Sequence, residues 1–151
     1  ERPSARHHVR RSRLRAVIRR HLAIAATCAL SGCVPISRYP PVQPATEADG
    51  DEAQRPIVCA GTDQCALWWR RAQLWIARNS GYKLQVISDT VLETYGARPG
   101  STSWAFSATR EPLGEGREQI ELDPSCGSQP QCTQNALTLR ADFSRYVRAG
   151  S

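Results

Sequence analysis

All of the net positive charge of this 151-residue chain lies in its first 32 residues, so that segment differs in character from the rest of the chain. Residues 1–32 contain eight arginines and one acidic residue, a net charge of +7. Residues 33–151 contain 12 basic and 13 acidic residues, a net charge of −1. Because the larger part of the chain is close to neutral, nucleic acid is excluded as an expected partner.

The basic segment is followed by a short apolar run. Arg19 and Arg20 precede residues 22–30, a nine-residue stretch from Leu22 to Leu30. A positive segment before a short apolar run is typical of a secretory signal peptide. A membrane-spanning helix needs about 20 apolar residues, roughly twice this length. We therefore expect residues 1–32 to be a signal peptide rather than a transmembrane anchor.

The apolar run ends in Leu30-Ser31-Gly32-Cys33, which closely resembles the lipobox of bacterial prolipoproteins. In that family the cysteine thiol receives a diacylglycerol, the chain is cut just before it, and the new N terminus is acylated. The resemblance implies a lipid anchor at Cys33, and several acyl chains on one residue suffice for stable attachment. Val34 stands where an aspartate favours the inner membrane, so the resemblance implies the outer membrane, facing the periplasm. The alternative is a buried cysteine that begins a cytosolic helix.

The composition divides the rest of the chain into two parts. Residues 33–56 contain five prolines and four acidic residues with little to bury, so we expect a lipidated N terminus followed by an extended or disordered tether. Residues 57–149 have the composition of a packed domain that is long enough for one modest core.

The hydrophobic pattern predicts two helices and four strands within this domain. Apolar residues recur at helical spacing in residues 63–79 and from Ala136 to Val147, with Thr133 as a candidate cap for the second helix. Strands are predicted at residues 82–87 and 91–95, from Trp104 to a break at 112–116, and around residues 120–122. This order predicts an α+β fold in which a four-stranded antiparallel sheet has both helices packed on one face.

Four cysteines remain once Cys28 leaves with the signal peptide and Cys33 is acylated. An even number in an exported chain predicts two disulfides, for which three pairings exist. We favour the local pairing because both spacings are C-x5-C and both segments look like loops: Cys59 with Cys65, and Cys126 with Cys132. A zinc site is the alternative, although structural zinc sites usually show shorter spacing.

The histidines exclude a large class of chemistry. All three precede Cys33, so the processed chain has none: His7, His8 and His21. This removes histidine-dependent nucleophiles, bases and metal ligands. The remaining acidic group, Glu118, Glu121 and Asp123, is predicted to form a solvated strand edge, with Glu118 and Glu121 on opposite faces. We expect no enzymatic activity, no cofactor and no metal site.

The domain also resembles a group of small uncharacterised proteobacterial exported proteins. The resemblance covers most of residues 65–147 through short motifs at residues 72–75, 79–85, 93–95, 110–114, 126–132 and 142–143. It implies a single domain and the second disulfide, and it implies no activity.

Two functions from different classes fit these observations. The first is a non-enzymatic accessory or adaptor lipoprotein, whose candidate contact with an envelope protein is the apolar pair Leu67 and Leu74 with Arg71 and Arg78, opposite the tryptophan face. In the competing interpretation, these leucines pack under the tether or the closing helix. The second function is a small-ligand-binding or carboxylate-dependent enzyme domain in the periplasm, with a pocket lined by Trp68 or Trp104. The sequence does not predict an oligomeric state.

Overall fold

A computed structural model describes residues 41–129 and 131–149. The elements are α1 (Glu47–Gln54), β1 (Ile57–Ala60), α2 (Thr62–Asn79), β2 (Leu84–Ile87), β3 (Val91–Thr94), β4 (Trp104–Gly114), β5 (Arg117–Cys126) and α3 (Ala136–Ala149). The signal peptide and the lipobox predicted for residues 1–33 lie outside the described residues.

The five strands form one antiparallel sheet in the order β1-β5-β4-β3-β2. The α+β class and the antiparallel sheet are confirmed, but the sheet has one strand more than predicted. The additional strand, β1, is only four residues long and pairs Ile57 with Ile120 and Cys59 with Glu118. A run of four residues shows little periodicity. Cys59 and the following Gly61 therefore favoured the prediction of a loop.

The core lies between one face of the sheet and helices α2 and α3. Trp75 of α2 is at its centre and makes edge-to-face contacts with Phe106 of β4 and Phe143 of α3, at centroid distances of 5.2 and 5.3 Å. The indole N–H of Trp75 donates to Asp142 Oδ2 over 2.8 Å. The buried aromatic rings therefore join both helices to the sheet.

Helix α1 differs from the extended or disordered tether predicted for residues 33–56. It begins with a capping box between Thr46 and Asp49, and it packs along α3. Asp49 forms an ion pair with Arg145 over 2.8 Å. Glu52 accepts a hydrogen bond from Ser144 over 2.6 Å and pairs with Arg148. Two of the four acidic residues that suggested a solvated segment thus bind α3.

Two other local features differ from the sequence prediction. Strand β4 continues through Pro112 to Gly114, and the predicted turn follows it, with positive φ at Glu115 (54°) and Gly116 (68°). Two positive φ values in a two-residue hairpin loop are those of a type I′ turn. Helix α3 is capped by Asn135 and not by the predicted Thr133: the Asn135 Oδ1 accepts a hydrogen bond from the Leu137 N–H over 2.9 Å.

Both predicted disulfides are confirmed. Cys59 is bonded to Cys65 with the two Cα atoms 5.2 Å apart, and Cys126 is bonded to Cys132 with the Cα atoms 6.3 Å apart. The first bond joins β1 to the first turn of α2. The second joins the end of β5 to the segment that leads into α3. Each bond therefore fixes the connection between a strand and a helix.

Removing either bond should destabilise the domain. For a loop closed over six positions, the chain-entropy model gives about 2 kcal/mol. We expect this loss in urea unfolding of Cys59→Ser/Cys65→Ser and, separately, of Cys126→Ser/Cys132→Ser. Peptide mapping of the oxidised wild type without reduction is the control, and cross-linked peptides joining the two halves of the chain would contradict the pairing.

Candidate functional site

Leu67 and Leu74 lie on the side of α2 that faces away from the core. Their positions are seven apart, about two helical turns, so one lies above the other. The opposite side of the helix is buried and includes Trp69, Ala72 and Ile76. Leu67 is 41% exposed and Leu74 is 49% exposed. The described residues therefore leave nearly half of each leucine on the surface.

The two arginines predicted beside these leucines also hold α3 in place. Arg71 Nη1 donates to the backbone carbonyls of Val147 and Arg148, at 3.1 and 2.9 Å, in the last turn of α3. A cation at the C-terminal end of a helix complements the helix dipole. Arg78 Nη1 donates to the Tyr146 hydroxyl over 3.1 Å. Both side chains thus contact α3 from positions next to the leucine pair.

Sequence reasoning missed a third arginine on this side of the helix. Arg70 is exposed, three residues after Leu67 and four before Leu74, so it shares their helix face. That spacing was the signal that could have identified it. We use the name "α2 ridge" for five residues: Leu67, Arg70, Arg71, Leu74 and Arg78.

All the charged residues of the α2 ridge are basic. From Gln64 to Asn79 the helix contains three arginines and no carboxylate. The face of the sheet away from the helices has the opposite character. Because side chains alternate along a strand, this face carries the carboxylates that neighbour core positions: Glu93, Glu111, Glu121 and Asp123. Arg117 on the same face pairs with Glu115 at 3.6 Å. The α2 ridge and the far face of the sheet therefore carry opposite charge.

One group of potential metal ligands is present among the described residues. The Sγ atoms of Cys59 and Cys65 and a carboxylate oxygen of Glu118 lie within 4.8 Å of one another. Both sulfur atoms belong to the disulfide, and the Glu118 carboxylate is paired with the Arg110 guanidinium. Because zinc requires thiolates from cysteine, the oxidised site does not offer it a ligand set.

The acidic residues of β5 are not arranged as a catalytic pair. Glu118 lies on the core face and binds Arg110, whereas Glu121 is exposed on the opposite face. Asp123 accepts a hydrogen bond from Arg140 over 3.1 Å. General acid–base catalysis needs an acid and a base that reach the same substrate, and the alternation prevents this for Glu118 and Glu121.

The tryptophans named as candidate pocket residues belong largely to the core. Trp104 is 4% exposed, and Trp68 packs against the core while partly exposed. Beside Trp104 is an open depression of about 200 Å³, whose lining contains no carboxylate. The indole N–H of Trp104 is buried and has no hydrogen-bond partner among the described residues.

The carboxylates with shifted pKa values lie at the contact between α1 and α3. The hydrogen bond from Ser144 lowers the pKa of Glu52, Arg148 and Arg55 lower it further, and burial opposes them. A lowered pKa means that this carboxylate stabilises the fold at neutral pH and loses that contribution as the pH falls through its folded-state pKa. The perturbation is explained by helix docking and marks no catalytic group.

No family model, curated protein or solved structure matches this chain.

None of the helices within residues 41–129 and 131–149 is both long enough and apolar enough to cross a membrane.

Proposed function

We propose that this chain is a cell-envelope lipoprotein, acylated at Cys33, with a non-enzymatic accessory or adaptor role at the periplasmic face of the outer membrane. The sequence Leu30-Ser31-Gly32-Cys33, placed after a basic segment and an apolar run, carries the proposal. The two disulfides support it, because thiols in the cytosol are normally kept reduced.

The non-enzymatic part of the proposal is supported by how the charged groups are used. Glu118 and Asp123 are each paired with an arginine, and Glu52 joins two helices. The α2 ridge instead presents an exposed apolar pair, Leu67 and Leu74, framed by arginines. Such a surface suits binding rather than bond breaking.

Replacing Cys33 with serine tests the proposal directly. Cys33→Ser should abolish metabolic labelling with palmitate and leave the precursor uncleaved, because serine offers no thiol to receive the diacylglycerol. Cys28→Ser is the matched control, since it removes the other cysteine of the N-terminal region and should preserve both labelling and cleavage. Unchanged labelling of Cys33→Ser would overturn the lipoprotein assignment.

A second candidate function is the binding of a small ligand beside Trp104, and its unpartnered indole N–H favours it. The indole N–H resonance reports on this site, because a hydrogen-bond acceptor that reaches it changes its chemical shift. Titration with polar metabolites should shift this resonance selectively if the depression binds a ligand, and a resonance that no compound shifts would contradict this alternative.

A further inference from the structure

We propose that the α2 ridge docks on an anionic phospholipid surface and fixes the orientation of the domain on the membrane. The inference rests on the proposed function in one respect, because the acyl anchor brings the ridge to the lipid. Its own evidence is the nearly half-exposed pair Leu67 and Leu74, placed between Arg70 on one side and Arg71 and Arg78 on the other. An occupant of this surface has to accept apolar side chains and supply negative charge.

A second copy of the chain related by two-fold symmetry does not meet the charge requirement. In a two-fold symmetric contact each surface meets its own copy. Two α2 ridges would therefore place three arginines against three arginines, with no carboxylate from this stretch of either helix to neutralise them. Like charges brought together at an interface oppose association.

The acidic segment of the chain itself is already engaged elsewhere. Asp49 and Glu52 of α1 bind Arg145 and Arg148 of α3. Helix α1 thereby binds side chains of α3, whereas Arg71 binds the backbone carbonyls at the end of α3. Asp49 and Glu52 are thus not available to neutralise the α2 ridge.

The length of the tether favours lipid over a distant protein. The predicted tether extends to residue 56, but α1 already packs on α3 from Glu47, so the tether is shorter than predicted. Only 13 residues, 34–46, separate Cys33 from that helix. A flexible chain of this length has a root-mean-square reach of about 20 Å. An acylated chain therefore holds its domain at the lipid surface.

The opposite charges of the α2 ridge and of the far face of the sheet determine which side of the domain meets the lipid. An anionic surface attracts the arginines of the α2 ridge and repels the carboxylates on the far face of the sheet, Glu93, Glu111 and Glu121 among them. With the ridge against the lipid, Leu67 and Leu74 can enter the interfacial region. The arginine stems can lie along apolar surface while their guanidinium groups reach phosphates. The acidic face of the sheet is then presented away from the membrane.

An environment-sensitive fluorophore tests this orientation on the acylated, processed protein in vesicles. Ala77→Cys places the label on exposed α2 surface beside the ridge, and Val86→Cys places a matched label on the far side of the sheet. The vesicles contain either phosphatidylcholine alone or phosphatidylcholine with phosphatidylglycerol. We expect the label at position 77 to shift to the blue and to be quenched by brominated lipid only with phosphatidylglycerol, less so at high salt. The label at position 86 should remain aqueous.

Added to the position-77 reporter, Leu67→Ser/Leu74→Ser should abolish the shift, while the protein still floats with the vesicles. Its melting temperature should stay close to that of the wild type, because both leucines are nearly half exposed. Protein that is not acylated and does not float would overturn the proposed function. Protein that floats with an aqueous label at position 77 in both vesicles would overturn the orientation alone. A photo-crosslinker at position 77 that captures a protein, not lipid, in intact envelopes would also overturn it.

Discussion

Trp75→Ala should lower the free energy of unfolding by about 3–5 kcal/mol, a large share of the stability expected for one small domain. Trp75 is 2% exposed and contacts Phe106 of β4 and Phe143 of α3. Its indole N–H also binds Asp142. Truncation therefore leaves a cavity where the sheet and both helices meet, and it removes a hydrogen bond. Urea unfolding followed by circular dichroism measures the loss.

Trp68→Ala is the matched control, because it is the same substitution on the same helix at a position that is only partly buried. It should cost clearly less than Trp75→Ala. Trp75→Phe should fall between the two, since it keeps an aromatic ring but loses the N–H that donates to Asp142. Equal losses for Trp68→Ala and Trp75→Ala would show that the core is not centred on Trp75.

Features set by neighbouring residues could be predicted from the sequence. The apolar face of α2 repeats at the helical period, so the buried positions Cys65, Trp69 and Ile76 followed from spacing alone. The local disulfides followed from paired spacing, and a turn near Gly116 from the glycines around it. In each case the residues that determine the feature are close neighbours in the sequence.

Features set by distant residues could not be predicted in this way. Helix α1 is held by side chains 92 and 96 positions away, as in the contacts of Glu52 with Ser144 and of Asp49 with Arg145. Without those partners its acidic composition is that of a solvated segment. Strand β1 depends likewise on pairing with β5, nearly 60 positions away in the register of Cys59 with Glu118.

The candidate site depends on both neighbouring and distant residues. The leucine pair and its arginines share a helix face by spacing, which the sequence shows. The hydrogen bonds of Arg71 to Val147 and of Arg78 to Tyr146 depend on how α3 docks, which it does not show. Two of the three arginines of the α2 ridge are therefore positioned by α3, while Arg70 is exposed on the other side.

Gly127→Ala should destabilise the domain by about 3 kcal/mol, because two loops meet there without room for a side chain. A β-carbon at this position would overlap the backbone carbonyl of Arg98 and lie 3.3 Å from the Pro99 Cα. The backbone carbonyl of Gly127 also accepts a hydrogen bond from the Gly100 N–H over 2.9 Å. Alanine would therefore push the loops apart next to the disulfide at Cys126, and thermal unfolding should show the loss.

Gly96→Ala is the matched control: a β-carbon there meets nothing within 4 Å. Its stability should change by less than about 0.5 kcal/mol. Wild-type stability in Gly127→Ala would mean that the two loops do not approach each other this closely.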